Sequence, residues 1–183
     1  TSTVTPANCG QANGSATVSA TGGTPAYTYT WSTSATGSTL NGVLAGTYTI
    51  TVKDANGCIT TAAATIPNTS GPTISLATQT NVSCFGGNNG VATTTVSGGA
   101  TPYIYLWSNG QVTGTATNLQ AGVYTATVTD NNGCISSTSV TITQPPALTV
   151  TASGTNPLCF NATNGTANAG VLGGTAGYTY AWI

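Results

Sequence analysis

Five cysteines and three charged side chains are the residues of this chain whose types could do chemistry. Cysteine can form disulfides, hold a soft metal or act as a nucleophile. The spacing argues for disulfides. Cys9, Cys84 and Cys159 lie 75 residues apart (84 − 9 = 159 − 84 = 75). Cys58 follows Cys9 by 58 − 9 = 49 residues, and Cys134 follows Cys84 by 134 − 84 = 50. This recurrence predicts one bridge per repeat, Cys9–Cys58 and Cys84–Cys134, each closing a loop of about 50 residues and contributing about 4 kcal/mol through loop-closure entropy. Cys159 is unpaired in this window, and its partner is expected beyond Ile183. Disulfides place the protein in an oxidising, extracellular setting. Buried free thiols, the alternative, would belong to a reducing compartment.

Lys53, Asp54 and Asp130 are the only charged side chains, and there is no histidine. Acid/base pairs, Ser-His-Asp triads and His-rich metal sites therefore have no members here, and a Ser or Thr nucleophile has no base. No catalytic residue, metal site or cofactor is expected. Asp54 and Asp130 each open an Asp-x-Asn-Gly turn, where a carboxylate caps its own backbone. Calcium sites usually gather several carboxylates. Without a basic surface, nucleic acid has no electrostatic partner.

The elements that must position these residues read as strands. Thr, Val, Tyr and Ile alternate in short runs broken by Gly, Asn and Pro. Strands are expected over Ser15–Ala20, Tyr27–Ser32, from Gly46, and over Cys58–Ile66. The second repeat restates them over Val91–Val96, Tyr103–Ser108, Val123–Thr129 and from Cys134 toward Ile142. The third has Thr166–Val171 and Tyr178–Trp182. The fold class is all-β: tandem immunoglobulin-like antiparallel sandwiches, with repeats at 1–68 and 69–145 and a truncated third at 146–183. Pro67–Pro72 and Gln144–Pro146 read as short, semi-rigid junctions.

Each repeat carries a Tyr-x-Tyr-x-Trp run whose aromatics share one strand face. Tyr27, Tyr29, Trp31, Tyr103, Tyr105, Trp107, Tyr178, Tyr180 and Trp182 are assigned to cores. Tyr48 and Tyr124 join them in the facing layer, with their hydroxyls on backbone groups. Ile104 and Leu106 replace Thr28 and Thr30 on the opposite face, a candidate contact patch between domains or chains.

In the second repeat, Cys84, Phe85, Gly86, Asn89, Gly90, Gly98, Gly99, Tyr103, Tyr105, Trp107, Leu119, Ala121, Gly122, Tyr124, Val128, Asp130, Asn132, Gly133 and Cys134 form an ordered pattern. It resembles the SprB repeat, found in very large surface adhesins of gliding and other Bacteroidetes bacteria, and is similar to polycystic-kidney-disease-type immunoglobulin-like domains. The first repeat keeps most of the pattern but lacks the Phe after Cys9; the third has Asn161 in place of the loop glycine. The resemblance implies export by the type IX system, display on the outer membrane, and a part in adhesion or gliding. It points to a non-catalytic stalk whose partners are further repeats of the same chain, with anchoring or gliding machinery engaged elsewhere. Two alternatives stand beside it: a module binding surface glycans through its hydroxyl-rich faces, and a filament subunit that binds neighbouring chains.

Overall fold

A computed structural model describes all residues, Thr1–Ile183. The chain is all-β and divides into two compact units. The first comprises Thr1–Thr73, Val96–Ile104 and Val128–Ser136; the second comprises Ile74–Thr95, Tyr105–Thr127 and Ser137–Ile183.

The first repeat holds β1 (Ser2–Thr5), β2 (Ala7–Asn8), β3 (Gly14–Val18), β4 (Thr28–Trp31), β5 (Thr39–Val43), β6 (Gly46–Lys53), β7 (Ile59–Ile66) and β8 (Asn68–Thr69). Two three-stranded sheets form, ordered β1-β3-β5 and β4-β6-β7. All their pairings are antiparallel, whereas β2 and β8 make a short parallel pair. Alternation decides the inward face. In β6, Ile50 and Val52 are buried while Thr49 and Lys53 are exposed, as a period of two requires. Ala16, Trp31, Leu40, Ile50, Ala64 and Ile66 lie at the centre of the resulting core. On the wet faces, threonine hydroxyls pair across strands, Thr17 with Thr39 at 3.1 Å and Thr47 with Thr65 at 3.0 Å.

The second repeat restates this with β9 (Pro72–Thr80), β10 (Gly90–Gly98), β11 (Ile104–Trp107), β12 (Thr115–Leu119), β13 (Gly122–Thr129) and β14 (Ile135–Ile142). Its sheets are ordered β12-β10-β9 and β11-β13-β14. Ile50 and Ala64 of the first core become Ala126 and Val140 here, an exchange of bulk between neighbouring strands of one sheet. The third repeat contributes β15 (Thr149–Thr155) paired with β16 (Thr166–Leu172).

Three strands escape a reading by alternation. β1 and β15 are exposed along their whole length, and β9 buries only Pro72 and Ile74. A strand held mainly by backbone hydrogen bonds at an edge leaves little periodic signature. The junction also differs from a linker: Asn68–Thr69 is β8 and the buried Pro72 opens β9.

The aromatic run of the third repeat departs from expectation. Tyr178–Trp182 forms no strand, and Tyr178, Tyr180 and Trp182 are 39%, 57% and 63% exposed. In the first two repeats this run is hydrogen-bonded to the strand that begins at the next Gly-x-Tyr, β4 to β6 and β11 to β13. Here the run is paired with no strand, and Tyr178, Tyr180 and Trp182 lie outside the cores to which they are assigned above. They face β15 and β16 across a cavity of about 520 Å³.

Candidate functional site at the repeat junction

The first repeat presents two poles, one at each end of β7. At the pole after β7, the Cys9 loop is pinned from both sides. The Cys9 amide donates to the Thr69 carbonyl at 3.0 Å. The Gly10 amide donates to Asn68 Oδ1 at 2.9 Å, and the Asn8 amide to Asn13 Oδ1 at 2.8 Å. The same device recurs. Asn89 Oδ1 accepts from the Ser83 amide at 3.0 Å, and Asn164 Oδ1 from the Leu158 amide at 3.1 Å. The asparagine of each Asn-Gly pair thus fixes the residue preceding each loop cysteine. The glycine that follows is required by space: a Cβ on Gly14 would lie 2.7 Å from Ile66 Cγ2, and one on Gly90 2.8 Å from Ile142 Cγ2.

At the opposite pole the Asp turn joins the Gly-Gly loop. Asp54 Oδ1 accepts from the Cys58 amide at 2.8 Å, and Oδ2 from the Thr24 amide at 3.0 Å. Asp130 repeats this with the Cys134 and Ala100 amides, each at 2.9 Å, and adds the Asn132 amide at 2.9 Å. Both carboxyls are held below the ordinary value near 3.8. For Asp54 the Thr24 amide is the leading cause, with the Cys58 amide next. For Asp130 it is the Ala100 amide, which burial opposes and the Cys134 and Asn132 amides assist. A carboxylate that accepts two or three backbone amides is held in its ionised form. The aspartates act as clasps between two loops.

The cysteines pair across repeats. Cys9 is bonded to Cys134, with Cα atoms 5.5 Å apart and the two residues 125 positions apart in sequence. The expected bridges Cys9–Cys58 and Cys84–Cys134 do not form, and Cys58, Cys84 and Cys159 are exposed free thiols. The reason is the length of a strand. Cys9 sits beside Thr69, beyond the C-terminal end of β7, and Cys58 precedes its N-terminal end. Eight residues at about 3.4 Å each hold those ends about 27 Å apart, and a disulfide needs Cα atoms roughly 4.4–6.8 Å apart. Cys84 and Cys134 stand in the same relation to β14: Gly86 donates to Gln144 Oε1 at 2.8 Å beyond its end, while Cys134 precedes its start. Spacing alone was compatible with either pairing. The recurring Asn-Gly beside the first cysteine and Asp-x-Asn-Gly before the second were the available signal that they mark different poles.

The bridge is sealed on the Cys134 side, while Cys9 is half-buried. Cys134 is 2% exposed and Asp130 4% exposed. The backbone at Gly71 lies so close that a Cβ there would stand 2.7 Å from Cys134 Cβ. This packing draws Val96–Ile104 and Val128–Ser136 of the second repeat into the first compact unit.

The remaining candidate residues fall into three groups. Trp31 and Trp107 are each 2% exposed, with indole N–H groups donating to Gly37 and Thr113 carbonyls at 3.0 and 2.9 Å. Tyr27, Tyr29, Tyr48, Tyr103, Tyr105 and Tyr124 are half-buried at the core margins. Four of these hydroxyls seal loops: Tyr48 to the Leu44 carbonyl at 2.9 Å, Tyr124 to the Gln120 carbonyl at 3.2 Å, Tyr27 to the Gly22 carbonyl at 2.6 Å, and Tyr103 to the Gly98 carbonyl at 2.5 Å. Ile104 and Leu106 are 68% and 55% exposed on the outer face of β11.

Repeated two-sheet sandwiches joined by a covalent bridge define a tandem immunoglobulin-like β-sandwich protein. The SprB repeat matches residues 1–36, 76–112 and 151–183, together more than half of the chain. The chain belongs to the SprB repeat family, which makes it an extracellular, adhesin-type repeat region of a cell surface. No curated protein sequence matches it. Among solved structures, it is similar to the three N-terminal domains of the bacteriophage RB49 Highly Immunogenic Outer Capsid protein. The TM-score is 0.52 at 18% identity, over 97% of this chain and 70% of that one. That likeness concerns the fold. A lower similarity is found to a complex of Dpr11 IG1 with DIP-gamma IG+IG2, with TM-score 0.34 and 12% identity over 79% of this chain and 98% of that one.

Proposed function

We propose that this chain is a non-catalytic, tandem-repeat stalk segment of a secreted bacterial surface adhesin. It extends a distal binding region outward for attachment or gliding, from an anchorage at the outer membrane. The repeats 1–68, 69–145 and 146–183 are its building blocks. The observation that carries this reading is the Cys9–Cys134 bond, which links one repeat covalently to the next. Tension along the chain enters at Cys9 and leaves at Cys134, bypassing the chain between these two residues 125 positions apart. A nearly uncharged surface supports the same reading, because its cohesion changes little with salt.

Single-molecule stretching between the chain termini tests it. At about 3.5 Å per extended residue, the 125 bridged residues hide about 40 nm of length while oxidised. That length should appear as discrete sandwich-unfolding steps only after reduction. Smooth extension with no unfolding force, oxidised or reduced, would rule out a mechanical stalk.

A further inference from the structure

We propose that Cys58 and Cys84 are halves of the same inter-repeat staple that Cys9 and Cys134 complete, so that each repeat is bonded to the one before it and the one after it in the same chain. Cys58 takes the loop cysteine of a preceding SprB repeat. Cys84 takes the Asp-turn cysteine of the repeat that follows it, and Cys159 is a loop cysteine of the same kind.

The two Asp-turn poles are built alike. Asp54 holds the Thr24 and Cys58 amides as Asp130 holds those of Ala100 and Cys134. One pole is covered and its cysteine is bonded; at the other, Cys58 lies on a cavity of about 200 Å³ lined by Gly22, Gly23, Tyr27, Asp54 and Ile59. Their counterparts Gly98, Gly99, Tyr103, Asp130 and Ile135 belong to the segments that pack with the first repeat. The surface at Cys58 is therefore the first repeat's equivalent of the surface that Cys134 presents to the Cys9 loop, and the group that fits it is a Cys loop of its own family.

The loop side agrees. Cys84 shares a cavity of about 730 Å³ with Pro146, Ala147, Gly174 and Thr175 of the third repeat. Thr175 Oγ1 donates to the Ser83 carbonyl at 3.4 Å, and Gly174 to the Pro146 carbonyl at 2.8 Å. The Gly-Gly loop of the third repeat thus meets the Cys84 loop at the pole where an Asp turn carries its cysteine in the other two. Each link forms as two thiols give up two protons and two electrons to a disulfide oxidant, which departs as two thiols after a mixed-disulfide step.

The inference rests on the repeats standing in series and not on what the array does. The test is peptide mapping of the native protein, alkylated before reduction, alongside denaturing electrophoresis without reductant. Cys58 joined to another repeat's loop cysteine, and Cys84 to another repeat's Asp-turn cysteine, with single-chain mobility, is the expected result. Alkylated Cys58 and Cys84, or Cys9–Cys58 and Cys84–Cys134 links, would overturn it. Covalent multimers that dissolve on reduction would place the partner in a second copy and overturn the same-chain assignment. A Cys9→Ser variant separates the alternatives again: Cys134 should become alkylatable, and its capture by Cys84 would refute the staple. Failure of the stalk in stretching experiments would leave these links untouched.

Discussion

The Asp turns at Cys58 and at Cys134 have nearly the same sequence and the same clasp, yet opposite surroundings. Asp54 is half-buried beside an exposed thiol, whereas Asp130 and the bonded Cys134 are sealed. The local motif is complete in both, so it does not depend on a neighbouring repeat. What the neighbour adds is burial and a covalent bond. A turn made of Asp, Asn and Gly holds its shape through amides donated to one carboxylate, and so it can be presented ready-formed to whatever docks on it.

The largest expected difference between the two poles comes from the cysteines. In the segment Thr1–Ile183, Cys134→Ser should destabilise the oxidised protein by about 2–5 kcal/mol, while Cys58→Ser, at a thiol that is free there, should stay within about 0.5 kcal/mol. Calorimetry of both variants checks this, and equal effects would erase the contrast. Next comes packing: Gly71→Ala puts a Cβ against Cys134 and should cost about 1–3 kcal/mol, with slower Cys9–Cys134 closure followed by timed alkylation. A smaller effect is expected at the clasps. Asp130→Asn should lower the melting temperature more than Asp54→Asn, because its lost charge-assisted bonds lie under cover; the reverse order would mean burial adds nothing.

The smallest effect is the response to pH. Both aspartates have folded-state values lowered from about 3.8 by backbone amides. Their contribution is fully present above the unfolded value and is lost as pH falls through the folded one. With no histidine in the chain, stability should be level from about pH 7 to 5 and decline only below about 4. Denaturant titrations of the Asp54→Asn, Asp130→Asn double variant should show a flatter acid limb.

The third repeat offers a further contrast. Tyr178, Tyr180 and Trp182 have the same spacing as Tyr103, Tyr105 and Trp107, yet they form no strand. Side-chain alternation says which face of a strand would be dry; hydrogen bonds to a partner strand decide whether the strand exists. Edge strands show the converse. β1 and β15 exist by pairing while carrying no buried face, so they leave no apolar rhythm to read.

The sequence by itself determined the repeat, the all-β class, the buried positions of Trp31 and Trp107, and the aspartate turns. These follow from short-range chemistry: period-two alternation, glycine and asparagine in turns, and a carboxylate near its own amides. Only the tertiary structure decided which cysteines meet. The eight-residue β7 and β14 send the two cysteines of one repeat to opposite poles. The docking of one repeat on the next brings Cys9 to Cys134. Bond formation depends on distance in space, and residues 125 apart in sequence are nearer there than those 49 apart (58 − 9).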